Sequence, residues 1–298
     1  MKRQIIEKEQ CTGCGACKLS CRFDAIRMKA DAEGFLYPEV DGEKCTDCNA
    51  CVNACNRRTD LGEKRRHTFI ARNKKTSIRE KSTSGGIFGA LAHQILQEGG
   101  YVFGAAFNEE LEVCHIEIST QEQLHRLQKS KYVQSDTRDT YRSVQERIQK
   151  GRVLYSGTPC QIAGLKAYLG KDNPNLVCVD LICQGVPSPA VWKRYLEYLG
   201  GEKRKVERFE FRNKVKGWNE LAISYVFSDG EERTVSFEDD YYMEGFEQTE
   251  FLRPACYNCP FRGETGYSDI TLGDCWGYEE LVKEKEDSGG TSVVLLNT

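Results

Sequence analysis

Two groups of four cysteines near the N-terminus have a spacing that binds iron–sulfur clusters. Both groups follow the pattern C-x2-C-x2-C-x3-C, the first at Cys11, Cys14, Cys17 and Cys21 and the second at Cys45, Cys48, Cys51 and Cys55. Such a run wraps a short loop around a 4Fe–4S cubane, whose chemistry is the transfer of single electrons. A pair of structural zinc sites is the alternative, but zinc takes its four ligands as spaced pairs, and two identical quartets fit cubanes better.

The order of these cysteines also predicts which cluster each one holds. In bacterial two-cluster ferredoxins the first three cysteines of a run bind one cluster and the fourth reaches across to the other. The predicted ligands are therefore Cys11, Cys14, Cys17 and Cys55 for cluster 1, and Cys21, Cys45, Cys48 and Cys51 for cluster 2. Arg22 and Asn56 replace the proline that usually follows the fourth cysteine, which removes no ligand. Residues Phe23–Met28 and Phe35–Val40 are predicted to form the short strands of this module.

A third group of cysteines lies far apart in the sequence, at positions that favour the ends of strands. Cys160 and Cys183 each follow an apolar, strand-like run, and Cys256 and Cys259 form a CxxC pair between two prolines. Together they would supply the four thiolates of a third 4Fe–4S cluster. Half of a zinc site or a redox-active dithiol are the alternatives for the CxxC pair. Cys160 lies at a predicted helix N-terminus, where a thiolate is stabilised. Cys275 has no assigned role.

One segment has the composition of an anion-binding loop. Lys81–Gly86, with the sequence KSTSGG, leads directly into an apolar-periodic helix. Hydroxyl residues and glycines at a helix N-terminus expose amide N–H groups, and the positive end of the helix dipole attracts phosphate. An ordinary helix cap is the alternative.

The elements that must position these residues alternate between helix and strand up to about residue 200 and then become richer in strands. This order, with the cysteine runs, predicts a ferredoxin-like α+β module carrying two 4Fe–4S clusters, followed by a larger mixed α/β body. The predicted domains are residues 1–60 for the ferredoxin module, 61–81 for a basic linker and first strand, and 66–298 for the body. Helices are predicted near 86–98, 140–149, 160–169 and 189–199. Strands are predicted at His67–Arg72, Tyr101–Phe107, His115–Ser119, Val153–Ser156, Leu176–Ile182, Val206–Phe211, Leu221–Phe227 and Ile270–Leu272.

Bulk composition excludes several classes of function. The net charge of −3 gives no long-range attraction to nucleic acid. Neither a signal peptide nor a membrane span is predicted, and fifteen cysteines, an odd number, argue against a disulfide framework. We therefore expect a cytoplasmic protein with no nucleic-acid partner. The apolar run Ser292–Leu296 at the end resembles an interrupted strand and predicts a truncated C-terminus.

Seven stretches together resemble the beta subunit of the coenzyme F420-reducing hydrogenase and the related beta subunits of formate and F420H2 dehydrogenases. They are STSGG (82–86), SKYVQS (130–135), SGTPCQIAGLK (156–166), DLICQGVPSP (180–189), FRNKVKGW (211–218), CYNCP (256–260) and DITLGDCWG (269–277). The family often has histidine where this chain has Gln184, and it usually lacks a cysteine at position 275.

The resemblance implies that FAD accepts a hydride from reduced coenzyme F420 and passes single electrons to a nearby 4Fe–4S cluster. It implies ligation of that cluster by Cys160, Cys183, Cys256 and Cys259. The implied FAD-binding residues are Lys81, Ser84, Gly85, Gly86, Lys131, Tyr132, Gly157 and Thr158. Arg212, Lys214 and Trp218 would form a cationic, aromatic wall for the hydride carrier.

The function expected from these residues is an iron–sulfur flavoprotein oxidoreductase. It would exchange electrons between a hydride carrier and a redox partner protein or a hydrogenase or dehydrogenase subunit. NAD(P)H or ferredoxin are alternative donors. A non-catalytic electron-relay subunit and a thiol–disulfide reductase are the alternative functions.

Overall fold

The computed structural model describes residues 4–58, 66–262, 267–283 and 289–297 of the chain. The N-terminal module is a hairpin flanked by short helices, and the elements run α1 (Ala16–Leu19), β1 (Ile26–Ala30), β2 (Leu36–Val40) and α2 (Ala50–Asn53). The strands are antiparallel, with Ile26 opposite Val40. Both side chains are buried and form the small core of the module with Ile5 and Cys51.

The body is built on a seven-stranded mixed sheet in the order β3-β12-β11-β7-β6-β4-β5. Its strands are β3 (Arg66–Ala71), β4 (Tyr101–Phe107), β5 (Val113–Ile118), β6 (Val153–Gly157), β7 (Leu176–Leu181), β11 (Ile270–Asp274) and β12 (Ser292–Asn297). The central strands β11, β7, β6 and β4 run parallel to one another. The outer strands are antiparallel: β12 pairs with β11, β3 with β12 and β5 with β4. A mixed α/β body is therefore confirmed.

Helices cover both faces of this sheet. The helices of the body are α3 (Thr76–Glu80), α4 (Ile87–Gln97), α5 (Thr140–Arg147), α6 (Pro159–Leu169), α7 (Pro189–Gly200), α8 (Tyr241–Glu247), α9 (Pro254–Tyr257) and α10 (Tyr278–Val282). The buried side chains of α4 pack with Val102 and Leu154 on one face, while α5 and α6 pack with Phe103 and Tyr155 on the other. Alternate residues of β4 and β6 thus point to opposite faces, as the period of a strand requires.

A second, three-stranded antiparallel sheet follows in the order β10-β9-β8, with β8 at Val206–Asn213, β9 at Ala222–Phe227 and β10 at Glu232–Ser236. Its core is aromatic and centres on Trp192 of α7, which contacts Phe209, Phe211 and Tyr242. This sheet is the strand-rich section predicted after residue 200, although the polar strand β10 was not predicted.

The N-terminal module is docked on the body through the loop that carries its first cysteines. Thr137 donates to the carbonyl oxygen of Cys14 over 3.0 Å, and Lys18 pairs with Asp139 at 2.8 Å. Gly164 of α6 lies so close to Cys14 that an added Cβ would stand 2.8 Å from its Sγ. The glycine therefore permits close packing of helix α6 against the cysteine loop.

The domain boundaries stay a prediction. Residues 59–65, in the segment between the module and the body, lie outside the described residues. Strand β3 and helix α3 occupy much of the predicted linker after residue 65. The apolar run Ser292–Leu296 lies in β12, which pairs with β11 on one side and β3 on the other.

None of the helices in the described ranges is long and apolar enough to cross a membrane.

Candidate functional site

The eight N-terminal cysteines line two separate cavities, grouped as the crossed assignment predicts. One cavity is lined by Cys11, Cys14, Cys17 and Cys55, and the other by Cys21, Cys45, Cys48 and Cys51. Residues in the left-handed region shape both loops, among them Gly13 and Gly15 in the first and Asn49 in the second. This conformation turns the chain tightly enough to surround a cluster.

The two cavities differ in their exposure. Cys11, Cys14 and Cys55 are buried against the body, whereas Cys48 is exposed at the surface. Burial raises the pKa of the Cys14 thiol to about 11. A thiol in this position stays protonated at neutral pH unless a metal draws it into ligation.

A third group of thiols converges between the module and the body. Cys160, Cys183, Cys256 and Cys259 line one cavity, together with Thr12 of the ferredoxin loop. Cys160 is the second residue of α6 and Cys183 follows β7, while α9 carries Cys256. Because β6 and β7 are parallel neighbours, with Gly157 opposite Asp180, the segments that follow them leave the sheet at the same edge. This topology brings Cys160 and Cys183 together. The amide of Arg253 donates to the carbonyl oxygen of Val186 over 2.9 Å, which places the segment with Cys256 and Cys259 beside them.

The chemistry of this cavity favours a cluster over a single metal ion or a reactive thiol. In the described part of the chain, no group of three or more His, Cys, Asp or Glu residues is close enough to hold one metal ion. The four thiols instead surround a space, as the ligands of a cubane do. Burial raises the pKa of Cys183 to about 12 and that of Cys160 well above its ordinary value. Burial therefore opposes the thiolate that the helix N-terminus favours at Cys160.

A cavity of about 550 Å³ opens beside this third thiol group. Its volume lies in the range of small-molecule and cofactor sites. Cys183 and the three residues after it, Gln184, Gly185 and Val186, line both cavities. A ligand in the large cavity and a cluster bound by the four thiols would therefore be separated only by residues 183–186.

The predicted anion-binding loop reaches this cavity with only some of its residues. Ser84 and Gly86 line the cavity, as do Ile87 and Phe88 in the first turn of α4. Gly86 begins the helix with a φ of 80°, a conformation that favours glycine. The N-terminal amides of α4 are therefore the ones positioned for a phosphate.

Gly85 and Lys81, two of the predicted flavin-binding residues, do not line the large cavity. The amide of Gly85 donates to Ser292 Oγ over 3.0 Å, and an added Cβ would stand 2.7 Å from the carbonyl oxygen of Ala71. This glycine fits the loop against strands β3 and β12, so its amide is not available to a phosphate. Lys81 is exposed and does not line the large cavity. The predicted contacts of these two residues with a cofactor therefore have no support from their positions.

The remaining predicted flavin residues, Lys131, Tyr132, Gly157 and Thr158, all line the large cavity. The Lys131 ammonium donates to the carbonyl oxygens of Gln128 and Lys129, and burial lowers its pKa to about 7. Thr158 is held at the start of α6, where its amide donates to Gln161 Oε1 over 3.0 Å. A nearby anion would restore the positive charge of Lys131.

Of the three residues predicted to bind a hydride carrier, Arg212 lines the cavity and Lys214 and Trp218 do not. The Arg212 side chain is buried and donates to Asp274 over 2.9 Å. Its Nε and Nη2 atoms have no hydrogen-bond partner among the residues that the structure describes. Unpaired buried N–H groups are costly, so this guanidinium suits an anionic ligand in the cavity.

Lys214 and Trp218 lie behind the residues that line the cavity and hold them in place. The Lys214 ammonium donates to the carbonyl oxygens of Arg79, Ser84 and Gly289 over 2.6–3.0 Å, which ties the loop at Ser84 to the end of β8. Trp218 is buried and stacks on Trp276, with ring centres 4.5 Å apart. The aromatic side chain that lines the cavity beside Arg212 is Trp276.

Sequence reasoning missed Trp276 and His115. Trp276 lies in the quoted motif DITLGDCWG, so its position beside Asp274 was a usable signal. His115 is buried, and its ring nitrogens lie 2.7 Å from Ser135 Oγ and 2.9 Å from the carbonyl oxygen of Ser156. Burial lowers its pKa to about 4, so the ring is neutral and positions the segment before Gly157. Nothing in the sequence around His115 indicates this role.

Comparisons with known proteins identify both parts of the chain. The family described as "4Fe-4S dicluster domain" matches residues 10–59. The C-terminal family of the "Coenzyme F420 hydrogenase/dehydrogenase, beta subunit" matches residues 150–298, which is half of the chain. The chain belongs to this beta-subunit family. The predicted resemblance is confirmed, and the chain also carries a 4Fe–4S dicluster domain over residues 10–59.

The fold of the chain is similar to that of a chain in the solved structure of the F420-reducing [NiFe] hydrogenase complex from Methanosarcina barkeri. The TM-score is 0.53 at 20% identity, over 80% of this chain and 77% of that chain. At such an identity the similarity shows the shared fold. No curated protein matches the sequence.

Proposed function

We propose that this protein is an iron–sulfur flavoprotein oxidoreductase. It would take electrons from a hydride carrier, reduced coenzyme F420, by way of FAD and 4Fe–4S clusters, and deliver them to a partner protein or subunit. The observation that carries the proposal is the segment from Cys183 to Val186, which lines both the large cavity and the four-thiol cavity. A flavin is needed at such a junction because it converts two-electron hydride transfer into single-electron transfer.

The large cavity has the features that FAD requires. The first turn of α4 would hold the pyrophosphate, with Ser84 and Gly86 beside it, and Lys131 would supply positive charge. Tyr132, Phe237 and Phe246 provide aromatic surface, and Tyr132 lies 4.9 Å from Phe246 between ring centres. Gly157 and Thr158 also line the cavity, and Thr158 Oγ1 lies 3.2 Å from Cys160 Sγ.

Arg212 and Trp276 would bind the hydride carrier. The guanidinium carbon of Arg212 lies 5.5 Å from the centre of the Trp276 ring, and both side chains line the cavity. Trp276 is 51% exposed, so this wall is open to a ligand that enters from solvent. A planar, anionic carrier fits a flat aromatic side chain next to an arginine with unpaired N–H groups.

The thiol groups lie in series from the large cavity to the surface. Thr12 lines both the four-thiol cavity and the cavity of cluster 1, so these two sites are adjacent. Cys51 of cluster 2 lies in helix α2, and Cys55 of cluster 1 follows the same helix. The ligands of the two clusters are therefore only four residues apart at this point of the chain. The exposed Cys48 lies at the far end. We propose that a redox partner protein docks near Cys48.

Anaerobic purification of the full chain, followed by flavin analysis and reduction tests, examines this function. We expect non-covalent FAD and faster bleaching of the clusters by reduced coenzyme F420 than by NADH, NADPH or reduced ferredoxin. Protein without flavin would favour the electron-relay alternative and contradict the proposal. Reduction by NADPH alone would still be consistent with a flavoprotein oxidoreductase, but it would contradict coenzyme F420 as the electron donor.

A matched pair of arginine variants on strand β8 tests the carrier site. Arg212→Met should raise the KM for the carrier about tenfold or more, the loss expected for a charge-assisted contact. Arg208→Met, on the same strand but exposed, should leave the KM unchanged. An equal effect of the two variants would exclude Arg212 from the carrier site.

A further inference from the structure

Arg253 is a completely buried arginine between two groups of cluster ligands, and no motif of the sequence indicates it. Its Nε donates to the carbonyl oxygen of Cys11 over 2.6 Å, and its Nη2 lies 3.7 Å from Cys11 Sγ. The same side chain lines the four-thiol cavity, three residues before Cys256. The guanidinium thus contacts a ligand of cluster 1 and faces the site of the third cluster.

Among the residues that the structure describes, no Asp or Glu forms an ion pair with Arg253. Its other hydrogen bonds go to Gln134 Oε1 at 2.7 Å and the carbonyl oxygen of Leu36 at 2.9 Å. Tyr37 lies under the guanidinium, 4.3 Å from its ring centre. A buried arginine without a counter-ion is strongly destabilising. An anionic group held by Cys11 would provide the missing counter-charge.

The cavity of cluster 2 has no comparable group. No lysine or arginine lines it within the described ranges, whereas Arg253 contacts the cluster 1 ligand Cys11 and Arg57 lines the cavity of cluster 1. A cubane with four thiolates is anionic and gains a further negative charge when it accepts an electron. A buried cation and hydrogen bonds to the sulfurs therefore favour the reduced state.

We propose that Arg253 sets the reduction potential of cluster 1 above that of cluster 2. The step concerned adds one electron to the cluster and makes or breaks no bond. Cluster 1 then collects electrons at the junction with the body, and the exposed cluster 2 passes them on at a lower potential. The proposal depends on the dicluster domain and not on the flavin or the third cluster, so it survives if either of those is absent.

Redox titration of the iron-loaded full chain, followed by electron paramagnetic resonance, tests this. Cluster 2 is identified by the effect of a soluble paramagnetic ion, because Cys48 is exposed. Arg253→Gln should lower the ratio of reduced to oxidised cluster 1 at least tenfold at a fixed potential, which is 59 mV for one electron. Cluster 2 should not shift, and the exposed Arg27→Gln should shift neither cluster.

A second variant guards against misfolding of the first. Gln134→Glu places a carboxylate where Arg253 Nη1 already donates and neutralises the charge without removing the arginine. It should lower the potential of cluster 1 in the same direction. An unshifted cluster 1 in whichever variant keeps its iron would overturn the proposal. So would unmodified protein in which cluster 2 is reduced before cluster 1.

Discussion

The side-chain amide of Asn56 donates to the carbonyl oxygen of Cys160 over 2.8 Å, across 104 residues of sequence. The same amide lies 3.0 Å from Thr12 Oγ1, and Asn56 itself is buried. Asn56 follows Cys55, a predicted ligand of cluster 1, and Cys160 is a predicted ligand of the third cluster. The position where ferredoxins usually have proline is thus used here to join two cluster sites.

Replacing Asn56 should uncouple these two sites without removing either. Asn56→Pro restores the usual ferredoxin residue but loses both side-chain hydrogen bonds, each worth about 0.5–1.5 kcal/mol. We expect unchanged iron content, a lower free energy of unfolding, and slower electron transfer from flavin to the N-terminal clusters in stopped-flow measurements. The exposed Asn53→Ala is the control. Unaltered transfer rates in Asn56→Pro would show that this contact has no part in coupling.

A methyl group at Gly85 should disturb the cavity indirectly. The added Cβ of Gly85→Ala would stand 2.7 Å from the Ala71 carbonyl oxygen and 2.8 Å from the Ser292 amide, both backbone atoms. Overpacking of this kind costs about 1–3 kcal/mol and shifts the loop that begins α4. We expect lower flavin occupancy and a lower melting temperature. In the control Gly151→Ala the added Cβ meets nothing within 4 Å, so flavin occupancy and melting temperature should stay unchanged. Full occupancy in Gly85→Ala would remove this loop from the flavin site.

The affinity for FAD should depend on pH through Lys131. Burial lowers its pKa to about 7 from the ordinary 10.5, so the empty site is neutral at this position above pH 7. Binding of an anionic phosphate raises the pKa again and takes up a proton. Affinity should be constant below pH 7 and fall about tenfold for each pH unit above it. The same shift makes the empty protein more stable as pH rises from about 7 towards 10.5, because the unfolded chain binds the extra proton.

Titration of flavin-free protein with FAD across this pH range provides the measurement. Lys131→Met should abolish the decline above pH 7, whereas Lys216→Met, at an exposed position, should retain it. A slope that persists in Lys131→Met would assign the proton to another group.

The N-terminal sites could be predicted in detail because their ligands are local. The spacing of the runs at Cys11 and Cys45 places three ligands of each cluster within a short loop. The structure groups each three with the fourth cysteine of the other run, as the ferredoxin rule predicts. The parallel strands of the body were predictable for a similar reason. Buried strands such as Tyr101–Phe107 are continuous apolar runs with clear ends.

Other features depend on tertiary contacts that leave no local pattern. Gly85 was predicted to present its amide to a ligand, but β12 arrives from more than 200 residues away and takes that amide through Ser292. Trp218 was predicted to line the carrier site, but Trp276 stacks on it from the cavity side. Arg253 could not be found at all, because its environment comes from the ferredoxin module.

The iron content of the anaerobically purified full chain tests the central claim, that a third cluster lies beside the flavin cavity. We predict about twelve iron atoms per chain, four more than a two-cluster ferredoxin holds. Serine at Cys160, Cys183, Cys256 or Cys259 should reduce this to about eight with FAD still bound, while serine at Cys114, a buried cysteine outside the set, should not. A content of about eight in the unmodified protein, with four free thiols at these positions, would contradict the account.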